Sequence, residues 1–194
     1  MNDERLDRAT QQTVLRLAGE AIRAAVLGRR GPSREEIAEV EGRHPALAEP
    51  AGVFVTVYTA GQLRGCLGEI EPEGSLAVVL VRCAQRAPTA DYRFAPIEPH
   101  ELAELSYKVS ILTSPVPVSS LGEIHVGVHG LIARHEGHGG LLLPDVATEH
   151  GWDLETFLRH LWRKAGIAPT VPQEDVKLWT FTSIILSSEA FAMK

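Results

Sequence analysis

A cysteine flanked by glycines is the residue best suited to covalent chemistry in this 194-residue chain. Cys66 lies in the stretch 61–69, directly after Gly65 and two positions before Gly68. If this stretch is an extended strand, its side chains alternate between two faces, so Arg64 and Cys66 share one face. A fixed guanidinium beside the sulfur would favour the thiolate, which is the nucleophilic form of cysteine. The spacing therefore predicts Cys66 and Arg64 as catalytic residues.

The glycines around the cysteine are compatible with two roles. Because they lack a Cβ, they allow a ligand to approach the backbone, which predicts Gly65 and Gly68 as substrate-binding positions. The same composition suits a bulge or a tight contact with a helix, and an isolated cysteine is commonly a small buried apolar residue. No histidine neighbours Cys66 in sequence, so a Cys–His pair would depend on the fold. Cys83, on the apolar side of a predicted helix, is assigned to the core.

Arg93 is predicted to bind substrate or to form a structural clamp. It lies between Tyr92 and Phe94 and follows Asp91 by two positions. A guanidinium can bind a carboxylate or phosphate group through two parallel hydrogen bonds. The same group could instead pair with Asp91 and order the loop. We favour the clamp and keep an anionic small molecule as a candidate ligand.

Lys108 is a second candidate for binding an anionic group. In the predicted strand 105–112 it shares one face with Ser110. If this strand lies beside that of Cys66, one polar face of the sheet would hold Arg64, Cys66, Lys108 and Ser110 together. The alternative is a solvated sheet face, which is common in antiparallel sheets. We predict Lys108 as a substrate-binding residue.

Four histidines lie close together in the sequence, at positions 125, 129, 135 and 138. The stretch His135-Glu-Gly-His138 is superficially similar to a zinc-protease motif, but that motif needs two histidines four apart on a helix. The glycines at 137, 139 and 140 predict a turn instead, where imidazoles are commonly solvated. We therefore predict no metal site and no cofactor. Stoichiometric zinc that survives dialysis would overturn this expectation.

The composition excludes several classes of function. The formal charge is 19 − 25 = −6, which disfavours a protein that binds nucleic acid through a basic surface. Two cysteines cannot supply a four-thiolate metal site or ligate an iron–sulfur cluster within one chain. The longest apolar run, 76–81, has six residues, whereas a membrane-spanning helix needs about 20. The charged N-terminal residues lack the apolar stretch of a secretory signal, so we expect a cytoplasmic protein without a membrane segment.

Hydrophobic periodicity predicts helices and strands in irregular order. Helices are predicted at 10–27, at 74–87 and after the cap Asp153 as far as Ala165, with a long charged connection at 29–52 that contains one helical turn near 33–40. Strands are predicted at 53–58, 62–70, 105–112, 131–135, 141–143 and 177–186, with a turn at 136–140. Because hairpin-linked strands are mixed with helices without regular alternation, we predict an α+β fold with a largely antiparallel sheet and flanking helices.

Several motifs resemble those of one known family. Residues 63–68, Leu-Arg-Gly-Cys-Leu-Gly, closely resemble the signature hexapeptide of the AMMECR-type domain family. Residues 91–94, Asp-Tyr-Arg-Phe, resemble its Asp-Pro-Arg-Phe motif with tyrosine in place of proline, and residues 164–167 match its Lys-Ala-Gly element. Residues 141–147 resemble its Leu-Leu-Pro-Gln-Val segment, with Asp145 in place of glutamine. The resemblance keeps the motif order and runs from about Arg8 to Phe191.

The resemblance implies a fold and candidate partners, but no reaction. It implies a single AMMECR-type domain over 1–194 with two lobes, a larger and a smaller one. The bacterial and archaeal branch is similar to the A component of the AmmeMemoRadiSam system, in which the domain accompanies a Memo-like protein and a radical SAM protein. These two proteins are therefore candidate partners. Trp162 stands where many relatives carry a second cysteine, which counts against a site that needs two thiols.

Two functional hypotheses follow. In the first, the protein is a cysteine-dependent enzyme or catalytic accessory, with Cys66 as the nucleophile, Arg64 as its activating cation and Arg93 as the anchor for an anionic group. In the second, it is a non-catalytic adaptor for Memo-like and radical SAM proteins, and the motif at 63–68 is a structural hairpin. The second hypothesis predicts that changing Cys66 to alanine is tolerated.

Overall fold

The computed structural model describes residues 6–188, which form two compact units. The first unit contains residues 6–112 and 184–188, and the second unit is Thr113–Ser183. Each unit has a four-stranded sheet with helices packed on it, and the strand pairings with a defined register are antiparallel. The predicted α+β class is confirmed. Within the described residues, no helix is long and apolar enough to cross a membrane.

The helices and strands of residues 6–188 follow one another irregularly along the chain. In order they are α1 (Arg8–Val26), α2 (Arg34–Arg43), β1 (Val53–Thr59), β2 (Gln62–Glu69), α3 (Leu76–Arg86), β3 (Leu105–Leu112), β4 (Val116–Pro117), β5 (Gly130–His135), β6 (His138–Leu142), α4 (Pro144–Glu149), α5 (Leu154–Ala165), β7 (Lys177–Phe181) and β8 (Ser183–Ser187).

In the first unit, α1 and α3 pack against one face of the sheet. The side chain of Asp7 caps α1 by accepting a hydrogen bond from the backbone N–H of Thr10, and Ser75 caps α3 in the same way. The apolar sides of both helices meet alternate residues of β1 in one core, as their periodicity predicted. Its largest members include Val14, Leu17, Ile22, Val53, Val55, Leu76, Leu80 and Ile111.

The connection between α1 and β1 contains more helix than predicted. The expected single turn near 33–40 is a ten-residue helix, α2. It begins with a capping box, in which the Ser33 side chain accepts from the Glu36 N–H and the Glu36 carboxylate accepts from the Ser33 N–H. Only Ile37 and Val40 are buried in α2, so the cap is a stronger signal for this helix than its sparse apolar stripe.

The first sheet has the strand order β2-β1-β3-β8, which leaves β2 at an edge. A β-bulge interrupts the pairing of β1 with β2, because Val57 pairs with Gly65 whereas Tyr58 pairs with Leu63. Arg64 is therefore an extra residue on β2, opposite no residue of β1.

The second unit has the strand order β4-β7-β5-β6, with α5 packed on β5 and β6. Helix α5 has the predicted cap and end: Asp153 accepts from the Thr156 N–H, and Gly166 takes the left-handed conformation at φ +71°. Its core includes Leu131, Ala133, Phe157, Leu161 and Leu178.

The hairpin in the second unit is tighter than predicted. The expected turn at 136–140 comprises only Glu136 and Gly137, with φ of +46° and +85°, and β6 begins at His138. A two-residue turn with positive φ at both positions matches the right-handed twist of the strands it joins. Gly140 is thus a strand residue, and its missing side chain lets the backbone of Ala165 in α5 lie against it.

The predicted strand 177–186 is in fact two strands in different sheets. Strand β7 belongs to the second sheet and β8 to the first. They separate at Thr182, whose N–H donates to Thr113 Oγ1 over 2.8 Å and whose carbonyl accepts from the Thr113 N–H over 2.9 Å. The apolar pattern runs through this point without a glycine or proline, so periodicity alone could not detect the break.

Candidate functional site

Cys66 lies on the edge strand β2, and its side chain is partly exposed. Its partner on β1 is Thr56, whose hydroxyl donates a hydrogen bond to Cys66 Sγ over 3.3 Å. The backbone N–H of Cys66 donates to Asp91 Oδ2 over 2.9 Å rather than to a neighbouring strand. The thiol and the backbone of this residue are therefore both held in place.

The second cysteine has a different environment. Cys83 is buried in α3 and belongs to the core, as predicted. Burial, together with the charge of Glu69, raises the pKa of the Cys83 thiol to about 11. At neutral pH it is therefore almost entirely protonated and unreactive, which makes it an internal reference for Cys66.

Arg64 is directed away from Cys66, which corrects the predicted pairing of its guanidinium with the sulfur. Its Nη1 forms an ion pair with Glu101 and a 3.4 Å hydrogen bond with Thr59 Oγ1, and its Nη2 donates to the Ala95 carbonyl over 3.3 Å. Thr59 belongs to the buried face of β1, opposite Thr56.

The bulge in β2 is the physical reason for this correction. Strict alternation predicts that Leu63 and Cys66 lie on opposite faces. Because Leu63 pairs with Tyr58 and Cys66 pairs with Thr56, both instead lie on the same face. Arg64 is this extra residue. It shifts the alternation of side chains in β2 by one position, so its own side chain is no longer on the face that carries Cys66.

Arg93 is the cation that is connected to Cys66, through Asp91. The pKa of this guanidinium is raised chiefly by its hydrogen bonds to Asp91, and also by the negative charge of Asp91. Its side chain remains 49% exposed, and its guanidinium lies 5.3 Å from the centroid of the Phe94 ring. Only two of its three nitrogens bind Asp91, so donors remain for a ligand.

Asp91 connects the cysteine to the arginine. Its side chain is only 4% exposed. It accepts hydrogen bonds from Arg93 Nε over 2.9 Å, Arg93 Nη2 over 2.7 Å and the Arg93 N–H over 3.2 Å, in addition to the Cys66 N–H. These bonds, with those to Arg93 the largest, hold the pKa of the Asp91 carboxyl well below its usual range. The clamp therefore orders the loop and also fixes the edge of β2.

The space beside both motif glycines is filled by the protein itself. A Cβ on Gly65 would overlap the backbone carbonyl of Ala87 at the end of α3, and a Cβ on Gly68 would overlap the Phe54 ring. The expected ligand approach at these two positions is therefore corrected: Gly65 allows the helix to pack on the strand, and Gly68 makes room for an aromatic ring.

Lys108 lies in one row with Cys66. The residues Cys66, Thr56 and Lys108 pair directly across β2, β1 and β3, so Lys108 and Cys66 are about 10 Å apart between backbones at about 4.8 Å per strand. The Lys108 ammonium lies 5.7 Å from the centroid of the Tyr58 ring.

A small cavity adjoins this lysine. Its volume is about 210 Å³, and the polar side chains of Ser106, Lys108 and Ser187 line it. No carboxylate within residues 6–188 forms an ion pair with Lys108. Ser110 shares this face of the sheet with Lys108, as predicted, but it is buried beside its cross-strand partner Phe54.

The four histidines do not converge. His129 Nδ1 accepts from the His125 N–H over 3.1 Å, whereas His135 Nδ1 lies 3.1 Å from the Asp175 carbonyl. Among residues 6–188, no group of three or more His, Cys, Asp or Glu side chains is arranged to hold a metal ion.

Two members of the site were absent from the predicted set. Thr56 is the hydrogen-bond donor to the thiol. The sequence feature that could have indicated it is a small hydroxyl side chain between two aromatic residues on the non-core face of 53–58. Asp91 was identified only as a partner of Arg93, because its bond to Cys66 joins residues 25 positions apart. No local pattern indicates that contact.

Comparison with known proteins gives one consistent assignment. The AMMECR1 family profile matches residues 15–186. A protein of Thermococcus gammatolerans is 39% identical over 187 residues, which cover 91% of this chain and 89% of that protein. A protein of Methanothermobacter thermautotrophicus is 48% identical over 124 residues, which cover 61% of this chain and 65% of that protein, just under two thirds of its length.

A solved structure has a similar fold. The crystal structure of the uncharacterised protein PH0010 from Pyrococcus horikoshii is similar with a TM-score of 0.81 at 32% sequence identity, covering 93% of this chain and 92% of that chain. The similarity extends over both units, which supports the α+β assignment.

Proposed function

Because this chain belongs to the AMMECR1 family, we propose that its signature motif builds a thiol site for an anionic substrate, with Cys66 as the nucleophile. The observation that carries this proposal is the fixed chain of contacts from Cys66 through buried Asp91 to half-exposed Arg93. It joins the backbone of a residue whose thiol is partly exposed to a cation with unused hydrogen-bond donors.

Each residue has a distinct role in the proposal. Cys66 Sγ, after its proton has passed to solvent, adds to an electrophilic carbonyl carbon of the substrate, and the π-electron pair of the C=O bond moves to its oxygen. The Thr56 hydroxyl orients the sulfur through its hydrogen bond. Arg93 binds the anionic group of the substrate, and Asp91 is a positioning residue that holds both partners. Lys108 offers a second cation for a longer substrate, from a backbone position about 10 Å from the backbone of Cys66. Arg64 has a structural role, since Glu101 occupies its guanidinium.

Alkylation with a matched pair of reagents tests this arrangement. Iodoacetate carries a carboxylate and iodoacetamide is neutral, but both form the same bond from Cys66 Sγ to carbon, with iodide leaving and the thiol proton passing to solvent. We expect the iodoacetate-to-iodoacetamide rate ratio at Cys66 to be about tenfold higher in the folded protein than in urea, because Arg93 attracts the carboxylate. Peptide mass spectrometry measures both rates, with Cys83 unlabelled until unfolding.

Two variants separate the role of Arg93 from general charge effects. Arg93→Gln should lower the ratio to the value in urea, whereas Arg43→Gln, which removes an exposed arginine from α2, should leave it unchanged. If Cys66 is labelled as slowly as Cys83, the assignment of Cys66 as a nucleophile is wrong. If the iodoacetate-to-iodoacetamide rate ratio is equal in wild type and Arg93→Gln, Arg93 does not bind the anionic group.

A second candidate function is an adaptor that binds Memo-like and radical SAM proteins. The observation that favours it is Tyr92, whose side chain is 96% exposed beside half-exposed Arg93. Exposed tyrosine and arginine side chains are enriched among residues that dominate protein interfaces. In this alternative, Asp91 holds Arg93 in position for a protein partner rather than for a small molecule.

Binding to the two purified partner proteins from the same genome distinguishes the candidates. The adaptor function predicts that Tyr92→Ala weakens binding at least about tenfold, and that Cys66→Ala binds as tightly as wild type. Val78→Ala changes an exposed apolar residue on α3 and serves as the control. Absence of binding to either partner, measured by calorimetry at micromolar concentrations, would exclude the adaptor role for these proteins.

A further inference from the structure

We propose that the second unit carries a separate binding site for an amphipathic carboxylate, in the groove along α5. The groove has a volume of about 760 Å³, within the range of about 300–1,000 Å³ that is typical of small-ligand sites. It lies wholly in the second unit, so it is independent of the site around Cys66.

The floor of the groove is apolar. Leu158 and Trp162 come from α5, and Ile167 and Pro169 come from the segment that follows it. Trp162 and Ile167 are almost completely covered by the rest of the unit, so their positions are fixed by the core. A concave apolar surface of this kind favours the apolar part of a ligand over water.

The rim of the groove carries two arginines one helical turn apart, Arg159 and Arg163. Like charges at this spacing repel each other. Within residues 6–188 no carboxylate forms a hydrogen bond or a close ion pair with either guanidinium. Arg159 donates to Thr156 Oγ1 over 3.3 Å and interacts with the Asp153 carboxylate only through longer-range charge. The helix dipole favours Arg163 in the last turn but not Arg159, which lies before that turn.

The apolar floor and the two arginines together determine the class of ligand that fits the groove. The net charge of the chain is −6, so two arginines without an ion-paired carboxylate are not part of a generally basic surface. Two guanidinium groups bind a carboxylate through charge-assisted hydrogen bonds, and the adjacent apolar floor accommodates a hydrocarbon chain. The occupant that satisfies both is a medium-chain fatty carboxylate.

Displacement of a fluorescent fatty acid, 11-(dansylamino)undecanoic acid, tests the proposal. We expect saturable binding that dodecanoate displaces at least about tenfold more effectively than dodecanol, because only the carboxylate can bind the arginines. The double variant Arg159→Gln/Arg163→Gln should bind dodecanoate at least about tenfold more weakly and dodecanol equally well. Arg29→Gln/Arg30→Gln removes the same charge from an exposed loop of the first unit and should behave as wild type.

A second variant tests the floor rather than the rim. Leu158→Asp places a carboxylate among the apolar residues and should abolish displaceable binding, while circular dichroism verifies that it folds. Absence of saturable binding to wild type would overturn the site. Equal affinity of the arginine double variant and wild type for dodecanoate, or wild-type binding by Leu158→Asp, would place the probe elsewhere and also overturn it.

Discussion

Replacing Gly65 with alanine is expected to destabilise the first unit by at least about 3 kcal/mol, at the upper end of overpacking effects. The added methyl group would overlap the backbone carbonyl of Ala87, which is fixed at the end of α3 and cannot rotate aside as a side chain could. The helix end and strand β2 would therefore have to separate. Urea unfolding followed by circular dichroism, with hydrogen exchange of peptides from β2, measures the loss.

Gly42→Ala is the matched control for this substitution. Gly42 lies in α2, and a Cβ there would meet nothing within 4 Å. Because glycine lowers helix stability relative to alanine by about 0.5–1 kcal/mol, the control should be neutral or slightly stabilising. If Gly65→Ala unfolds at the same urea concentration as wild type, α3 does not pack against Gly65 as described.

Replacing Asp91 with alanine is expected to cost about 3 kcal/mol at neutral pH. The substitution leaves the Cys66 N–H without its acceptor and Arg93 without its buried carboxylate, and hydrogen bonds to charged groups contribute about 1.5–3 kcal/mol each. Asp91→Asn should cost less, because the amide oxygen can still accept from the Cys66 N–H. The midpoint of urea unfolding at pH 7 measures both losses.

The loss should depend on pH in a defined direction. The pKa of Asp91 in the folded protein lies well below its usual value, which is about 3.9 in an unfolded chain. As the pH falls, the unfolded chain therefore takes up this proton first. The stabilisation is fully present above about pH 4 and is lost progressively below it. Urea midpoints at pH 7, 4 and 2.5 should thus converge for wild type and Asp91→Asn, and a constant difference across this range would contradict the assignment.

The sequence was most informative where the signal is local. Helix α5 was predicted between its cap Asp153 and Gly166, because both ends depend on residues inside or beside the helix. Strand β3 was predicted with its observed bounds from alternation alone. The hairpin of β1 and β2 was also predicted, but its bulge was not, since a bulge depends on how two strands pair rather than on the pattern of one.

That single unpredicted bulge determines that Arg64 does not lie beside the sulfur of Cys66. Local alternation assigned Arg64 to the sulfur, whereas the shift in pairing directs it to Glu101. The cation connected to Cys66 is Arg93 instead, through Asp91, whose contact with the Cys66 N–H spans 25 positions of sequence. Likewise, the stretch 177–186 is divided between two sheets because β7 and β8 pair with strands from distant parts of the chain. Both features are properties of tertiary structure that no window of residues contains.

The position of the second unit within the chain has a consequence for synthesis on the ribosome. This unit is one continuous segment, Thr113–Ser183, so all of its strands are available once that segment has emerged. The first sheet, in contrast, lacks β8 until Ser187 has been made, 187 − 112 = 75 residues after β3 ends. At about 5–20 residues per second this takes about 4–15 s. For that time the outer edge of β3 is unpaired and open to association with other nascent chains, so a chaperone that covers exposed strand edges would act on this protein during that interval.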